Sequence, residues 1–245
     1  MIKFFRQIRL NLMETGKTGK YLKYAIGEIV LVVVGILIAL QINNWNEGRK
    51  DALREKQLLL NLQGEFKDNL QDLDSIAKEV DKVIASLEKV FDLFSPSPPN
   101  VSQDSLNFLI STAMYSPNWK PSEFLLNSMN NSGSIAELKN EKLKLLLYKW
   151  SRQQKEMTDV QVRTERTGEE VVLYLKEFGS LRNSDVNSGV FKYRPSSLSI
   201  NNISLMSDPR FENHIDDKLF MYQTTKSWLA LARKTIVELI EETKN

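Results

Sequence analysis

The chain has no cysteine, so it can form neither disulfides nor thiolate metal sites. That absence suits a periplasmic and a cytoplasmic protein equally, so the compartment has to be read from other features. A single histidine, His214, excludes an HExxH zinc motif and any site needing two imidazoles. There is no Glu-x-x-His pair for a di-iron bundle and no GxSxG nucleophile turn. Glycine is sparse, 10 in 245 residues, and β-turn signals are few, which leaves a helical chain rich in Leu, Lys, Glu, Asn and Ser.

Long apolar runs are missing too, with one exception. Tyr24 to Ile42 reads YAIGEIVLVVVGILIALQI. The 18 residues from Ala25 to Ile42 rise about 27 Å as a helix, close to the ~30 Å hydrocarbon core of a bilayer. Helix is the form such a run takes, because lipid offers backbone groups no hydrogen bonds. Only Gly27, Glu28, Gly35 and Gln41 interrupt the apolar character. Tyr21 and Tyr24 at one edge and Trp45 at the other are the expected interfacial anchors. A cleaved signal peptide would have a shorter core followed by small residues at an A-x-A-like site, whereas ALQINNWN follows here. The expectation is therefore an uncleaved transmembrane helix over residues 24–42.

Flanking charge gives the orientation. Residues 1–23 carry Lys3, Arg6, Arg9, Lys17, Lys20 and Lys23 against Glu14 alone. After the span, Arg49, Lys50, Arg54 and Lys56 are balanced by Glu47, Asp51, Glu55 and Glu65. The basic end should stay in the cytoplasm and the rest should be exported. The whole chain is +2, but the exported part holds 27 Lys/Arg against 29 Asp/Glu, so the basic balance belongs to the tail. Nucleic-acid binding is excluded on charge and location. Within the tail, Met1, Phe5, Ile8 and Leu12 recur at helical spacing among basic residues, the pattern of an amphipathic helix on an anionic leaflet. GKTGK at residues 16–20 lacks the spacing of a phosphate-binding loop and reads as a basic turn.

The block KYLKYAIGEIVLVVVGILIALQINNWNEGRK, preceded by MIKFFRQIR, resembles the opening of an uncharacterised family of small single-span membrane proteins from flavobacteria and their relatives. YAIGEI…GILIALQINNWNE carries the resemblance, which covers about the first 50 residues. It implies a bacterial inner membrane with the bulk of the chain in the periplasm. It implies no activity.

Residues 43–245 should form one periplasmic helical domain. From Asn43 to Phe94 there is no proline, and apolar residues stand in heptad columns: Leu62, Asn69, Ile76, Val83, Val90; Phe66, Leu73, Val80, Leu87, Phe94; and Leu70, Ala77, Ile84, Phe91. Three apolar positions in seven make a bundle face rather than a narrow coiled-coil seam. Gly48 and Gly64 are the expected bends, and SPSPPN at residues 95–100 ends the helix. Short helices are expected over 102–114, capped by Ser102 or Asp104, and over 122–129. A long helix should span 135–178, and a last one 208–242, capped by Ser207 or Asp208 and showing Ile215, Leu219, Tyr222, Leu229, Ala232, Ile236 and Leu239 on one face. Residues 180–206, rich in Ser and Asn, read as a long loop. The fold class is all-α, an N-terminal transmembrane helix followed by an antiparallel bundle with long helices.

No catalytic set, metal site or cofactor is expected. The carboxylate pairs Asp72/Asp74, Glu169/Glu170 and Asp216/Asp217 fall in charged helix faces, and general acid work needs a buried carboxyl. His214 reads as a surface or capping side chain. Glu28 is the one ionisable residue in the span, and its shallow depth suits pairing with Lys20 or Lys23 at the interface, the other reading being an ion path or a membrane contact. Gly35 and Ala39 form a small-xxx-small pair suited to helix packing. In the 135–178 helix, Gln153, Gln154, Thr158, Gln161 and Thr164 occupy bundle-face positions. They either line a ligand pocket or mark a segment projecting into solvent, and projection is the preferred reading. The expected function is that of a non-enzymatic inner-membrane protein whose periplasmic domain binds a membrane or periplasmic protein, or a second copy of itself. The alternative is a ligand-sensing bundle acting through a membrane partner.

Overall fold

The computed structural model describes residues 6–7, 18–190, 192 and 194–244. The tail's amphipathic pattern lies outside these residues, apart from Arg6 and Gln7. Among the described residues every regular element is helical. In chain order they are α1 (Thr18–Phe91), α2 (Gln103–Met114), α3 (Phe124–Ser132), α4 (Ser134–Glu137), α5 (Glu141–Phe178), α6 (Leu181–Asn187), a 3-10 helix (Asn202–Ser207) and α7 (Pro209–Glu242). The fold is all-α. By compactness the chain divides into two units, Met1–Leu58 and Leu59–Asn245.

Apart from Arg6 and Gln7, the described part of the first unit is the opening stretch of α1. It contains the one described helix long and apolar enough to cross a membrane, and no residue of its most apolar window is buried. Leu31 is 65 % exposed and Leu37 58 %. The core helix of a water-soluble fold would hide such side chains. Helix continues without interruption through Gly48 and Gly64, the expected bends. The compact bundle starts at Leu59 and not at Asn43, because the apolar columns begin only around Leu59 and Leu62.

The second unit is built on α1 from Leu59 onward, α5 and α7. Leu62, Phe66, Leu73, Val80, Val83, Leu87 and Val90 of α1 are buried, so the first two heptad columns face the core. The third column is mixed: Ile84 is buried, Leu70 and Ala77 are half-buried and Phe91 is exposed. Salt bridges record the helix directions. Asp74 meets Arg233 at 2.8 Å and Asp81 meets Lys226 at 2.7 Å, so α1 and α7 are antiparallel. Lys142 meets Glu242 at 2.6 Å and Lys149 meets Glu238 at 3.7 Å, so α5 is antiparallel to α7 as well. It follows that α1 and α5 run the same way, with α2, α3 and α4 in the return connection. Phe66 packs edge-on against Trp150 at 6.1 Å, and Trp150 against Trp119 at 6.2 Å.

Local chemistry sets the helix ends. Ser102 caps α2 by accepting from Ser105 N at 3.1 Å. Asn140 caps α5 by accepting from Leu143 N at 3.0 Å, and Asp208 caps α7 by accepting from Arg210 N at 2.9 Å, with Pro209 following. Helix α5 begins at Glu141 and not at Ile135, because Leu138 is extended and separates it from α4. Gly133 ends α3 with φ 76°, a left-handed conformation suited to glycine. Helix α1 ends at Phe91, three residues short of the expected Phe94, where the chain tightens into Leu93 N–Val90 O and Phe94 N–Phe91 O turns.

Two polar side chains explain irregularities in the sequence. Asn69 breaks an apolar column because its amide holds the loop before α3, donating to Ser122 O at 3.0 Å and accepting from Ser122 N at 2.7 Å. Glu65 beside it accepts from Ser122 Oγ at 2.8 Å and from Leu125 N at 2.9 Å, so α1 satisfies the start of α3. The 180–206 segment is not the plain loop its composition suggests. Asn202, 3 % exposed, donates to Asn107 Oδ1, Ser180 O and Ser184 Oγ and accepts from Ser180 N at 2.7 Å. A Cβ on Gly179 would lie 2.8 Å from Asn202 Oδ1, so glycine is needed at that crossing.

Candidate functional site

The span residues singled out by sequence all lie on α1. Glu28, Gly35 and Ala39 share one stripe of the helix, since seven residues bring the face almost back into register and four more shift it only slightly. Glu28 is half-exposed. A Cβ built at Gly35 would meet nothing within 4 Å, so no described segment packs there. Tyr24 and Trp45 are 56 % and 68 % exposed, and the side chain of Tyr21 is outside the described residues. His214 is partly exposed, 3.8 Å from Glu170 Oε2 and 5.2 Å from the ring of Tyr174. Asp72, Glu169, Asp216 and Asp217 are exposed, and Asp74 is paired to Arg233. The sequence candidates are therefore not brought together into one site.

A site does form where the sequence reading expected solvent. The polar middle of α5 does not project beyond its neighbours; it is packed against α7. Gln153, Gln154, Gln161, Thr164 and Thr167 are all at most 8 % exposed, and only Thr158 faces out. The buried positions of α5 keep an unbroken heptad alternation through this stretch, from Leu143 and Trp150 through Met157, Thr164 and Val171. Thr164 Oγ1 donates to Val160 O at 2.9 Å and lies 2.9 Å from Thr225 Oγ1 of α7.

Two turns earlier on α7 is Lys218, fully buried although the apolar face was expected to pass through its neighbour Leu219. Its Nζ donates to Met114 O and to Ser116 Oγ, both at 3.2 Å, and sits 5.4 Å from the ring centre of Tyr222. Among the described residues no carboxylate pairs with it, and burial pulls its pKa down from the usual lysine value to about 7. Burial likewise pushes the Tyr222 phenol up to about 12. Gly168 makes the arrangement fit, since a Cβ there would lie 2.6 Å from Ser116 Oγ and 2.9 Å from Lys218 Nζ. The stepping Phe211, Ile215, Lys218, Tyr222, Thr225, Leu229 was available in the sequence as a three-four alternation, and only the charge of Lys218 concealed it.

Two grooves open on this polar seam. One, of about 560 Å³, is lined by Met114, Ser116, Gly168, Leu173 and Lys176 with Glu165 and Glu169 at its side, and lies over the lysine. The other, of about 300 Å³, runs between the irregular 115–123 segment and α5, with Trp119, Gln154, Met157 and Gln161 among its walls. Gln161 Nε2 donates to Trp119 O at 3.0 Å and fixes the segment to the helix.

A further polar cluster ties the start of α7 to the end of α5. Asp208 accepts from Tyr174 Oη and from Arg210, whose guanidinium lies 4.6 Å from the Phe178 ring centre. The Arg210 bond, and then that from Tyr174, hold the Asp208 carboxyl well below the usual carboxylate range. Burial, with the Asp208 bond, pushes the Tyr174 phenol up to about 12. This is a helix cap reinforced from a neighbouring helix.

A family model described as "Family of unknown function (DUF6090)" matches residues 28–151, from Glu28 in the apolar stretch of α1 to the third turn of α5. No curated protein and no solved structure matches the chain.

Proposed function

The chain belongs to this family of unknown function, and from that premise we propose that it is a single-pass protein of a bacterial inner membrane. Its basic amino end lies in the cytoplasm and its helical bundle in the periplasm. The bundle is a non-catalytic interaction module that binds a membrane or periplasmic protein, a second copy of the chain included. The placement rests on the six basic residues before the span against the balanced charges after it, and on the resemblance of the opening block to flavobacterial membrane proteins.

The observation that carries the interaction reading lies in α1 just past the span. Trp45, Leu53 and Leu60 remain 68, 61 and 52 % exposed. Trp45 suits the headgroup layer, but Leu53 and Leu60 stand farther along the helix than an interfacial anchor reaches. Apolar side chains repeated on a helix beside a membrane suit a second helix laid against them.

Two measurements on the full-length protein test the proposal. Alkaline phosphatase joined to the carboxyl terminus should be active in intact bacteria and green fluorescent protein there should stay dark; the reverse pattern ends the topology. Single cysteines placed at Leu53 and Leu60 in this cysteine-free chain should give crosslinked dimers or a crosslinked second protein in native membranes. Monomer alone at both positions ends the interaction reading.

A further inference from the structure

Beyond the apolar run, α1 is sorted by charge. Between Asn43 and Leu60 its acidic residues are Glu47, Asp51 and Glu55, which follow at intervals of four and so lie on one side of the helix. Leu53, two residues from both Asp51 and Glu55, lies on the other side, since each residue turns the helix by about 100°. Arg49, Leu53, Lys56 and Leu60 follow one another at steps of four, three and four, the a/d alternation of a helix seam. All four are exposed.

The basic residues divide in the same way. Lys50 pairs with Glu47 at 2.8 Å and Arg54 with Asp51 at 3.2 Å, away from the seam. Arg49 and Lys56 enter no ion pair among the described residues, and the Arg49 guanidinium lies 6.0 Å from the ring centre of Trp45. The nearly balanced charge of this stretch therefore conceals a seam of leucine and uncompensated positive charge.

Two occupants suit that seam badly. Leu53 and Lys56 stand 11 and 14 residues past Ile42, about 16 and 21 Å along the helix, whereas the headgroup layer adds only about 5–8 Å on each side of the hydrocarbon. A lipid surface does not reach that far. A second copy crossing the membrane the same way would pair in parallel, and each seam residue would face its own counterpart, Arg49 on Arg49 and Lys56 on Lys56. Like charges opposed across an interface are costly.

We propose that the seam takes a helix of a different membrane protein, one that sets two carboxylates about seven residues apart beside Arg49 and Lys56 and apolar side chains on Leu53 and Leu60. This rests on the interaction reading above and narrows its partner to an acidic helix. The carboxylates carry the discrimination, because a basic or neutral partner leaves the two cations opposed or uncompensated.

The probe is the full-length protein with its own seam reversed. Asn46→Cys lies on the same seam, one heptad before Leu53. Two tagged chains carrying it are co-expressed, each either otherwise unaltered or with Arg49→Glu and Lys56→Glu, and oxidised in native membranes. The reversal removes basic residues only after the span, so the orientation is kept. Mixed pairs of one unaltered and one reversed seam should crosslink about fivefold more than two unaltered or two reversed seams. Salt at about 1 M, where the screening length is ~3 Å, should erase most of that preference. Crosslinking of two unaltered seams as strong as that of mixed pairs overturns the proposal, and leaves the interaction reading standing with a second copy as partner. No crosslink even in mixed pairs overturns it as well, and the interaction reading is then decided separately by capture at Leu53 and Leu60.

Discussion

The two units of this chain obey opposite rules. Along the span of the first, leucines, isoleucines and valines are about half exposed or more, and none of the most apolar window is hidden. In the second, a lysine, several threonines and three glutamines are hidden among leucines and tryptophans. Each arrangement would be costly if both units faced only water. The first makes sense with hydrocarbon around it, where the backbone is satisfied internally and the side chains need no polar partner. The second makes sense because many of its hidden polar atoms find partners, as in the bonds of Lys218 to Met114 and Ser116. Exposure of apolar groups and burial of polar ones are thus both tied to a specific surrounding, and each can be challenged by changing one residue type.

The largest effect is expected from putting charge where lipid should be. Arginine at Val34 and Leu37 together costs roughly 2.5–3.5 kcal/mol per residue near the middle of a span. The doubly substituted protein should lose its resistance to alkaline carbonate extraction. If it stays in the membrane pellet like the wild type, the apolar run is not its anchor.

Next in size is Asn202→Ala in the second unit. It removes an amide that makes four hydrogen bonds and strands Ser180 N in the interior. A loss of about 2–4 kcal/mol is expected, in the range for breaking a buried hydrogen-bond network. A lowered thermal midpoint of the full-length protein in detergent would show it. A change under about 0.5 kcal/mol, the size of an ordinary surface substitution, would mean that the 180–206 segment is not held by this residue.

Lys218→Met should change stability in a pH-dependent way. The folded-state pKa of Lys218 is lowered to about 7, while the unfolded chain keeps the ordinary lysine value. Below about pH 7 both states carry the proton, and the cost of burying the charge is present in full. As pH rises from there toward the unfolded value, the unfolded chain binds more protons, and the wild type gains up to roughly 1.4 kcal/mol per pH unit. Methionine at this position removes that dependence. The variant should therefore be the more stable protein near pH 7 and lose that lead by pH 9.5, a range chosen to stop short of the tyrosines. A constant difference in midpoint across the range would show that burial does not perturb this amine.

These residues also show what the sequence made legible. The long apolar helix needed only its length and composition to be legible, because an unbroken apolar run without proline has helix as its default form. Ser102, Asn140 and Asp208 mark helix starts by a local rule, and two of them, Ser102 and Asp208, were among the expected caps. The polar middle of α5 was misread because polarity stood in for exposure. Its heptad spacing was regular throughout, and spacing was the better guide to burial than residue type. Lys218 was passed over for Leu219 for the same reason. The groove beside Trp119 was beyond reach, since it depends on the 115–123 segment folding back on a helix some forty residues later. Asn202 was equally hidden, its partners being scattered from Asn107 to Ser184.

The smallest effect is the most diagnostic of how the buried polar seam holds together. Thr164 Oγ1 donates its only proton to Val160 O, so the hydrogen between Thr164 and Thr225 belongs to Thr225. The two threonines are therefore not equivalent. Thr164→Val removes the acceptor and leaves the Thr225 hydroxyl as a buried donor without a partner, a loss of about 1–2 kcal/mol. Thr225→Val leaves Thr164 bonded to its own helix and removes only an incoming bond, a loss of about 0.5–1 kcal/mol. The double substitution keeps shape and volume and strands nothing, so it should be more stable than Thr164→Val alone, with a coupling of about 0.5 kcal/mol or more in a double-mutant cycle. Equal single losses that simply add would place the two hydroxyls in independent bonds, and the α5–α7 seam would then be held by its apolar ends alone.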